Sequence, residues 1–507
     1  MTTRTRHVLV PMILLASFGA ISAEAPKLSP AVEAFVRVHA SIVVLAHVRV
    51  IDGTGKPAVE DQNVVIERGK VSKIEDAHET PPNGDTTVVE MKGYSVMPGI
   101  VGMHDHLYYS ATPNFEPGRV PLWDLPRVLP QMTFSAPRLY LAAGVTTMRT
   151  TGSVEPYADL NLRDQIDDGL LPGPHIDVTA PYLEGKSSYF IQMHQLASAA
   201  EAKQFVDYWA GVGVTSFKAY MHITRAELKA AIDAAHQHGI KVTGHLCSVT
   251  YPEAVELGID NLEHGFWVNT QFSVGKKPDQ CPESASEDTI KSMDPAGAEA
   301  AKLIQLLVSH HVAVTSTLPV FEGDVAGRPP LQPRMLDAMT PEARDAYLYK
   351  RNYRFEKPLP DGQTMLTHEM QMERQFVAAG GLLLAGPDPT GNGGVLPGFG
   401  DQRETELLVE AGFTPVEAIR IGTLNGAIFE GKQASIGSVE LGKNADLVVV
   451  KGDPTHQSDV FIAKGNLLEV SSGLLFLDRM PAELVAHGGQ QLVGKRIGIS
   501  GTQAFEQ

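Results

Sequence analysis

The chain has 507 residues, of which 43% are hydrophobic and 20% are charged, a composition that is typical of a folded globular protein and excludes a disordered or fibrous chain. Its formal net charge is −17, and because such an acidic surface repels phosphate backbones, we expect no nucleic-acid partner. With only two cysteines, the sequence also excludes a disulfide-framework protein and a cysteine-rich zinc module.

The N-terminus is typical of an export signal. Arg4 and Arg6 precede an apolar run at residues 8–21, and small residues follow at 22–25. The apolar run is too short for a membrane anchor, since a spanning helix needs about 20 residues. We therefore predict a signal peptide at 1–25 and an exported mature chain, periplasmic or secreted, with no membrane contact.

Both flanks of the remaining chain are rich in short strands and turns. Residues 41–51 are mostly β-branched, Arg68-Gly69-Lys70 is a hairpin signal, and residues 446–451 form another apolar strand near the far end. This pattern predicts a small β-sandwich domain formed by two separate segments, 26–95 and 431–507.

The middle of the chain, 96–430, alternates short apolar strands with helix patterns. Capping boxes at Thr224, Thr250 and Thr414 mark the starts of three helices. Eight strands are predicted, starting near Val96, Thr146, His175, Thr215, Lys241, Asn261, Val312 and Leu382. Eight such units predict an α/β fold, a (β/α)8 TIM-like barrel. The alternative, an open doubly wound sheet, requires a glycine-rich phosphate turn after the first strand, and the sequence has none there.

Two features of the middle segment stay open at this level. Long stretches at 268–295 and 320–367 interrupt the repeated pattern, and loops of this length serve as lids or as oligomer contacts. In an oxidising compartment Cys247 and Cys281 would be able to pair, and two separate thiols are the alternative.

Residues that bind metal ions fall at the ends of several predicted strands, where barrel enzymes place their chemistry. His104 and His106 are two residues apart, so they face the same way at the end of the first strand. Later strands end in Lys218, His245, His264 and Asp388. Each residue alone is more typical of a structural role. Together they predict a metal site, because neutral imidazoles and carboxylates bind Zn²⁺ and related ions.

This order of residues resembles the amidohydrolase superfamily of metal-dependent hydrolases over nearly the whole mature chain. The resemblance includes the Pro98-Gly99 lead-in and the segments 418–427 and 437–447, besides the six ligand candidates. The pattern differs at Gly102, where the family usually has an acidic residue. Because of Lys218, the chain resembles the binuclear branch with imidazolonepropionase-like and Xaa-dipeptidase (prolidase-like) members.

The resemblance implies a cofactor of two divalent metal ions, with zinc as the first candidate. The implied ligands are His104, His106 and Asp388 for one ion, His245 and His264 for the other, and carboxylated Lys218 as the bridge. A metal-activated hydroxide would attack a carbonyl carbon, with Asp388 as general base and then general acid. Tyr220, two residues after Lys218 on the same face, would donate a hydrogen bond to the developing oxyanion.

The predicted function is therefore an exported amidohydrolase that cleaves an amide or peptide C–N bond of a small molecule, either a dipeptide or an N-acyl amino acid. The alternatives are a lactone, carbamate or phosphotriester hydrolase on the same metal site, and a non-catalytic metal- or ligand-binding protein. Further candidate substrate contacts near strand ends are Tyr109, Arg149, Tyr182, His194 and His222. A homo-oligomer is expected because relatives of this kind often assemble.

Overall fold

The computed structural model of the chain describes residues 28–78, 86–108, 129–188, 190–282, 287–389, 395–456, 467–471 and 475–477. The predicted signal peptide and Tyr109 lie outside these residues. Within them, no helix combines the length and the apolar character needed to cross a membrane.

The strands of the described residues form a barrel in the middle of the chain and a separate sheet from its two flanks. In chain order they are β1 (Ile42–Val50), β2 (Val59–Glu67), β3 (Lys70–Asp76), β4 (Thr86–Glu90), β5 (Tyr94–Pro98), β6 (Ile100–Asp105), β7 (Val145–Thr150), β8 (His175–Val178), β9 (Ser216–Ala219), β10 (Lys241–Gly244), β11 (Asn261–Glu263), β12 (Ala313–Ser316), β13 (Leu383–Ala385), β14 (Leu447–Lys451), β15 (Leu467–Ser471) and β16 (Leu475–Leu477).

Most helices of the described residues follow a barrel strand. In chain order they are α1 (Pro30–Glu33), α2 (Ser135–Ala142), α3 (Pro156–Asp167), α4 (Ala199–Val212), α5 (Arg225–Gln237), α6 (Tyr251–Leu257), α7 (Glu287–Ser292), α8 (Ala298–Ser309), α9 (Leu318–Glu322), α10 (Pro333–Asp337), α11 (Pro341–Glu356), α12 (Gly362–Ala378), α13 (Phe399–Glu410), α14 (Pro415–Arg420) and α15 (Gly426–Phe429). A π-helical turn, Ile421–Asn425, joins α14 to α15.

Strands β6 to β13 form the predicted parallel (β/α)8 barrel. Strands β6–β8 pair side by side, as do β9–β13, and the two runs join where Thr179 pairs with Ser216. The ring of strands closes beyond β13, where the Asp388 N–H donates to the His104 carbonyl oxygen at 3.1 Å. Because both faces of each strand are covered, by the barrel interior and by the helices, all residues of β9 and β12 are buried.

Three helices begin where the sequence predicts. At Thr224, Thr250 and Thr414 the threonine and a glutamate three residues later form reciprocal capping boxes at the starts of α5, α6 and α14. The apolar faces of these and neighbouring helices pack on the strands in one large core, in which Leu228 and Phe217 are both buried.

The flanking strands form one eight-stranded sheet. One edge of β1 pairs with β2, and the other edge pairs first with β4 and then with β5. Strand β14 adds to β5, which brings the C-terminal flank into the sheet. The sheet has its own core, with Leu45, Val64, Val96 and Val449 among its buried residues.

The predicted first barrel strand is in fact two strands. Val96 pairs with Val449 of β14 in the flanking sheet, and the barrel starts at Ile100 instead of near Val96. Gly99 lies between β5 and β6. A Cβ at this position would lie 2.1 Å from the Thr146 hydroxyl oxygen. Only glycine lets the chain pass this close to β7.

The segment 320–367, predicted as a long loop, is mostly helical and contains the end of α9, all of α10 and α11, and the start of α12. Thr340 caps α11 by accepting a hydrogen bond from the Ala343 N–H, and Pro341 occupies the first turn. These are helix-start signals, and the proline- and arginine-rich composition of the segment obscured them.

Cys247 and Cys281 form a disulfide bond. The bond ties the residue that lies just beyond β10 to the segment after β11. The Thr270 hydroxyl strengthens the attachment by donating to the Cys247 carbonyl oxygen at 2.9 Å. Of the two alternatives that the sequence left open, the structure therefore has the paired one.

We expect the double variant Cys247→Ala/Cys281→Ala to lose about 3–4 kcal/mol of unfolding free energy, because the bond restricts an unfolded chain whose joined residues are 34 positions apart. Urea denaturation of the native and variant proteins measures this loss, and native protein reduced with dithiothreitol should match the variant. A native protein whose denaturation midpoint is unaffected by the reductant would contradict the expectation.

Candidate metal centre

The six predicted ligands lie at the carboxyl ends of five barrel strands. They belong to the ends of β6 (His104, His106), β9 (Lys218), β10 (His245), β11 (His264) and β13 (Asp388). Since parallel strands of a closed barrel end on one face, all six side chains meet at the same mouth.

His104, His106 and Asp388 form a compact group. One ligand atom from each lies within 4.8 Å of the others, and Asp388 Oδ1 is 3.2 Å from His106 Nε2 and 3.8 Å from His104 Nε2. Both histidines are buried, while Asp388 keeps 14% of its side chain exposed toward the mouth. Two imidazoles and a carboxylate at this separation are a donor set that fits Zn²⁺ or a related divalent ion.

Close approach of β13 to β6 makes this group possible. A Cβ on Gly386 would lie 2.2 Å from the His104 backbone nitrogen, so the strands meet only with glycine there. Two residues later Asp388 has a φ of 52°, in the left-handed region that aspartate tolerates better than most residues. The turn directs its carboxylate back toward the histidines.

The remaining predicted ligands complete the cluster. The His264 ring centroid lies 4.4 Å from that of His104 and 4.5 Å from that of His245. Lys218 Nζ is 3.2 Å from His104 Nε2. The structure thus brings all six predicted ligands together, with Lys218 next to the His104 ring.

Burial keeps the four imidazoles neutral. It lowers the pKa of His245 to about 3, with the Lys218 charge contributing, and lowers the pKa values of His104 and His264 well below the usual range. The pKa of His106 is also lowered by burial. Neutral imidazole is the form that binds metal ions, so no proton has to be removed first.

Lys218 and Asp388 carry the opposite charges of the cluster. Burial lowers the pKa of Lys218 to about 8. Burial raises the pKa of Asp388, but the hydrogen bond with His106 and the charge of Lys218 outweigh it and hold this pKa well below its usual range. Asp388 is therefore ionised and able to bind a cation.

Sequence reasoning missed Glu263, which holds His104 from behind. Glu263 Oε2 lies 2.8 Å from His104 Nδ1, which leaves Nε2 of the same ring facing the cluster. A glutamate between Leu262 and His264 in a fully buried strand was the available signal, because a buried carboxylate needs a partner.

Arg149 is that partner, and its predicted substrate contact is not supported. Its Nη2 donates to Glu263 Oε1 at 2.8 Å and to the Met103 carbonyl oxygen at 2.6 Å. Only 1% of the side chain is exposed. The buried charge of Glu263 attracts Arg149, and Arg149 bonds the carboxylate that holds the ligand candidate His104.

We expect Glu263→Gln to weaken divalent-ion binding by about 10- to 100-fold, because the His104 ring loses the carboxylate that orients it. Competition with a chromophoric chelator measures the affinity. Glu256→Gln, an exposed change on α6, is the matched control and should bind like the native protein. Equal affinities in the two variants would contradict a supporting role for Glu263.

Tyrosines surround the cluster at the mouth. The ring centroid of Tyr220 lies 5.0 Å from that of His245 and 4.9 Å from that of Tyr182, and the Tyr182 hydroxyl shares a hydrogen bond with that of Tyr108. Both tyrosines that the sequence singled out and the structure describes, Tyr182 and Tyr220, are therefore placed beside the ligands. Their predicted roles remain predictions.

The two other histidine candidates, His222 and His194, differ in how far their side chains are exposed. The His222 N–H donates to Glu184 Oε1 at 2.8 Å, and the side chain is nearly buried. His194 is 51% exposed, pairs with Glu201 Oε1 at 2.8 Å and stacks on Phe205 of α4. The prediction that His194 contacts substrate is not supported, because the first turn of α4 holds its ring at the surface.

Gly102, where the family usually has an acidic residue, lies beside two other carboxyl groups of the chain. A Cβ at this position would lie 1.9 Å from Asp105 Oδ2 and 3.0 Å from Asp401 Oδ1. Two carboxyl groups from other parts of the chain thus occupy the space beside Gly102. Burial and the neighbouring Asp401 raise the pKa of Asp105.

Comparison with known proteins gives a family and a fold. The sequence profile of the amidohydrolase family matches residues 95–270 and 397–471. Comparison with curated proteins gives no match.

Three solved structures illustrate the fold. A Xaa-Pro dipeptidase with bound methionine in the active site is 19% identical, with 86% of this chain and 100% of that chain covered and a TM-score of 0.61. A prolidase complexed with N-methylphosphonate-L-proline is 18% identical, with 86% and 100% covered and a TM-score of 0.61. A bottromycin amidohydrolase is 19% identical, with 91% and 93% covered and a TM-score of 0.63. At these identities the likeness concerns the fold.

Proposed function

Because the chain belongs to the amidohydrolase family of metal-dependent hydrolases, we propose that it cleaves the amide or peptide C–N bond of a dipeptide or an N-acyl amino acid. The observation that carries the proposal is the buried group of His104, His106 and Asp388, with Lys218 beside it. The solved structures named for a Xaa-Pro dipeptidase and a prolidase support dipeptides as substrates.

The proposed cofactor is a pair of divalent ions, with zinc as the first candidate. One ion would be held by His104, His106 and Asp388, the other by His245 and His264, and carboxylated Lys218 would bridge them. The compact grouping of His104, His106 and Asp388, whose ligand atoms lie within 4.8 Å of one another, supports the first of these sets. The His264 ring lies 4.5 Å from that of His245, close enough for the two to share an ion. Imidazole and carboxylate donors suit zinc, manganese, cobalt or iron.

The surroundings of Lys218 support its carboxylation. The side chain is buried, and none of the carboxylates in the described parts of the chain forms an ion pair with it. An unpaired buried ammonium is costly. When CO₂ adds to the neutral amine, an N–C bond replaces one N–H bond and a proton is released. The product is a carboxylate, which suits a site that holds cations.

The side chains around the cluster suggest how an amide is hydrolysed. When bound, two divalent ions supply an acidified water at neutral pH and a Lewis acid for a carbonyl oxygen. Asp388 would take a proton from the attacking water on its carboxylate and pass it to the leaving nitrogen. The Tyr220 hydroxyl would donate a hydrogen bond to the carbonyl oxygen as that oxygen becomes negative. Glu263 would keep the His104 ring in place throughout.

The proposed setting is an exported, periplasmic or secreted enzyme that acts on small molecules. The Cys247–Cys281 disulfide supports export, because such bonds persist mainly in oxidising compartments. We propose that the mature protein forms a homo-oligomer and binds neither nucleic acid nor membranes. Fractionation of expressing cells and N-terminal sequencing test the export, and a protein retained uncleaved in the cytoplasm would contradict it.

A substrate panel tests the proposed activity. The purified metal-loaded protein is assayed with Xaa-Pro and other dipeptides, N-acyl amino acids, lactones, carbamates and phosphotriesters. We expect the largest kcat/KM among the amides, and no turnover after chelation of the metal. A larger kcat/KM for a lactone or a phosphotriester would reject the proposed bond, and the absence of turnover on the whole panel would favour a binding protein.

A further inference from the structure

We propose that this site selects amides in which an aromatic or bulky apolar group flanks the scissile bond. The inference rests on the proposed amide hydrolysis and specifies its substrate class. It comes from the rings that line both sides of the ligand cluster, and these residues are not needed to hold a metal ion.

One wall consists of Tyr108, Tyr182, Phe190 and Tyr220. The Tyr108 ring stacks on the ligand His106 with 4.6 Å between centroids, and Tyr220 lies 5.0 Å from the ligand His245. Phe190 stands 6.5 Å from Tyr220 and packs against the same apolar cluster. Tyr108 and Tyr182 are buried, whereas Phe190 and Tyr220 are partly exposed.

The opposite wall consists of Trp267 and Phe321. The Phe321 ring lies 5.8 Å from the ligand His264, and it stacks on Trp267 with 4.2 Å between centroids and 9° between planes. Trp267 is buried and gives Phe321 a rigid backing, while Phe321 itself is partly exposed. Rings therefore contact the ligand histidines from two sides of the cluster.

The position of the rings in the chain favours a role in substrate selection. They come from the segments after β6, β8, β9, β11 and β12, although aromatic residues make up only 7% of the chain. Partly exposed apolar rings in a concave site favour apolar ligands, because their remaining surface leaves water when the ligand binds. Flat rings also stack on the faces of aromatic groups. A substrate that has only small groups next to its amide would leave both walls in water.

Three matched substrates test the inference, namely N-acetyl-L-alanine, N-benzoyl-L-alanine and N-acetyl-L-phenylalanine. All carry a secondary amide next to an α-carboxylate, and they differ in the group that flanks the amide. For the metal-loaded native enzyme we expect kcat/KM of the better aromatic substrate to exceed that of N-acetyl-L-alanine by about 10- to 200-fold, the range that an apolar pocket supplies.

Variants of the wall residues test whether the walls cause the preference for aromatic substrates. We expect Phe190→Ala or Phe321→Ala to reduce this ratio by about tenfold or more, and Phe321→Leu, which keeps an apolar side chain on Trp267, to reduce it less. Tyr208→Ala removes an exposed ring on α4 and should leave the ratio unchanged. Bound metal and thermal midpoint are measured for each variant, and Phe321→Leu remains informative where the alanine variant unfolds.

Each outcome separates the inference from the proposed function. Equal kcat/KM for the three substrates, or a ratio that persists in both alanine variants, overturns the aromatic preference and leaves amide hydrolysis standing. No hydrolysis of any of the three by fully metal-loaded protein excludes N-acyl amino acids as substrates, and equal kcat/KM for Ala-Pro and Phe-Pro then overturns the preference for dipeptides. The absence of turnover for both classes counts against the proposed function.

Discussion

Replacement of Asp388 with asparagine is expected to lower kcat by about 10²- to 10⁴-fold, the contribution of a positioned general acid and base. The carboxylate lies 3.2 Å from His106 Nε2 and is the acidic member of the histidine group. Asparagine has nearly the same shape, but it neither accepts the proton of the attacking water nor returns it to a leaving nitrogen. The change should therefore affect turnover more than substrate binding.

Steady-state kinetics on the best amide of the panel, together with metal analysis, test this expectation. The expected pattern is a large fall in kcat, a KM within a few-fold of the native value, and a far-ultraviolet spectrum like that of the native protein. Asp233→Asn, an exposed change on α5, is the matched control and should retain native kcat. A kcat of Asp388→Asn that equals the control would exclude the proposed proton transfer.

The positions of the ligand candidates could be predicted because the barrel encodes them in the local sequence. A short apolar strand followed at once by a histidine or an aspartate specifies a side chain at the mouth, whichever strand carries it. This logic predicted that His245, His264 and Asp388 lie at the strand ends, and the structure has them there; their role as ligands stays a prediction. It failed for Arg149 and His194, because a position near a strand end does not tell whether a neighbouring carboxylate draws the side chain away.

The support for the ligands could not be predicted from the sequence. His104, Arg149 and Glu263 belong to β6, β7 and β11, and their contacts depend on how the strands pair around the ring. No local pattern gives that register. The disulfide is similar, since Cys247 and Cys281 meet only because the segment after β11 folds back over the end of β10.

Most strands and helices could be predicted from the spacing of apolar residues and from the turn and capping residues between them. The errors arose where one of these two signals hides the other. At Gly99 a continuous apolar run hides a change from one sheet to another, and the approach to Thr146 that requires this change is visible only in three dimensions. At Thr340 and Pro341 a helix start lies within a segment whose composition is typical of loops. Local composition alone therefore cannot locate either boundary.

Lys218→Ala is expected to leave about one metal equivalent per chain where the native protein holds about two, and to lower kcat/KM by about 10³-fold or more, since each ion contributes several kcal/mol of transition-state stabilisation. The physical reason is the loss of the proposed bridge between the two proposed ligand groups. His104 Nε2, now 3.2 Å from the lysine nitrogen, would keep its place in the first group.

Carboxylation itself has a separate test, because it consumes CO₂. Metal-free protein reloaded with zinc in buffer depleted of CO₂ should regain little activity, added bicarbonate should restore it, and ¹³C-bicarbonate should give a protein-bound carbamate signal. Lys229→Ala, an exposed change on α5, controls for the loss of a lysine and should respond like the native protein. Reloading that is independent of bicarbonate, or two equivalents of metal retained by Lys218→Ala, would mean that the lysine does not bridge. Partial rescue of Lys218→Ala by acetate or propionate would show that the missing part is a carboxylate at the position of the buried amine.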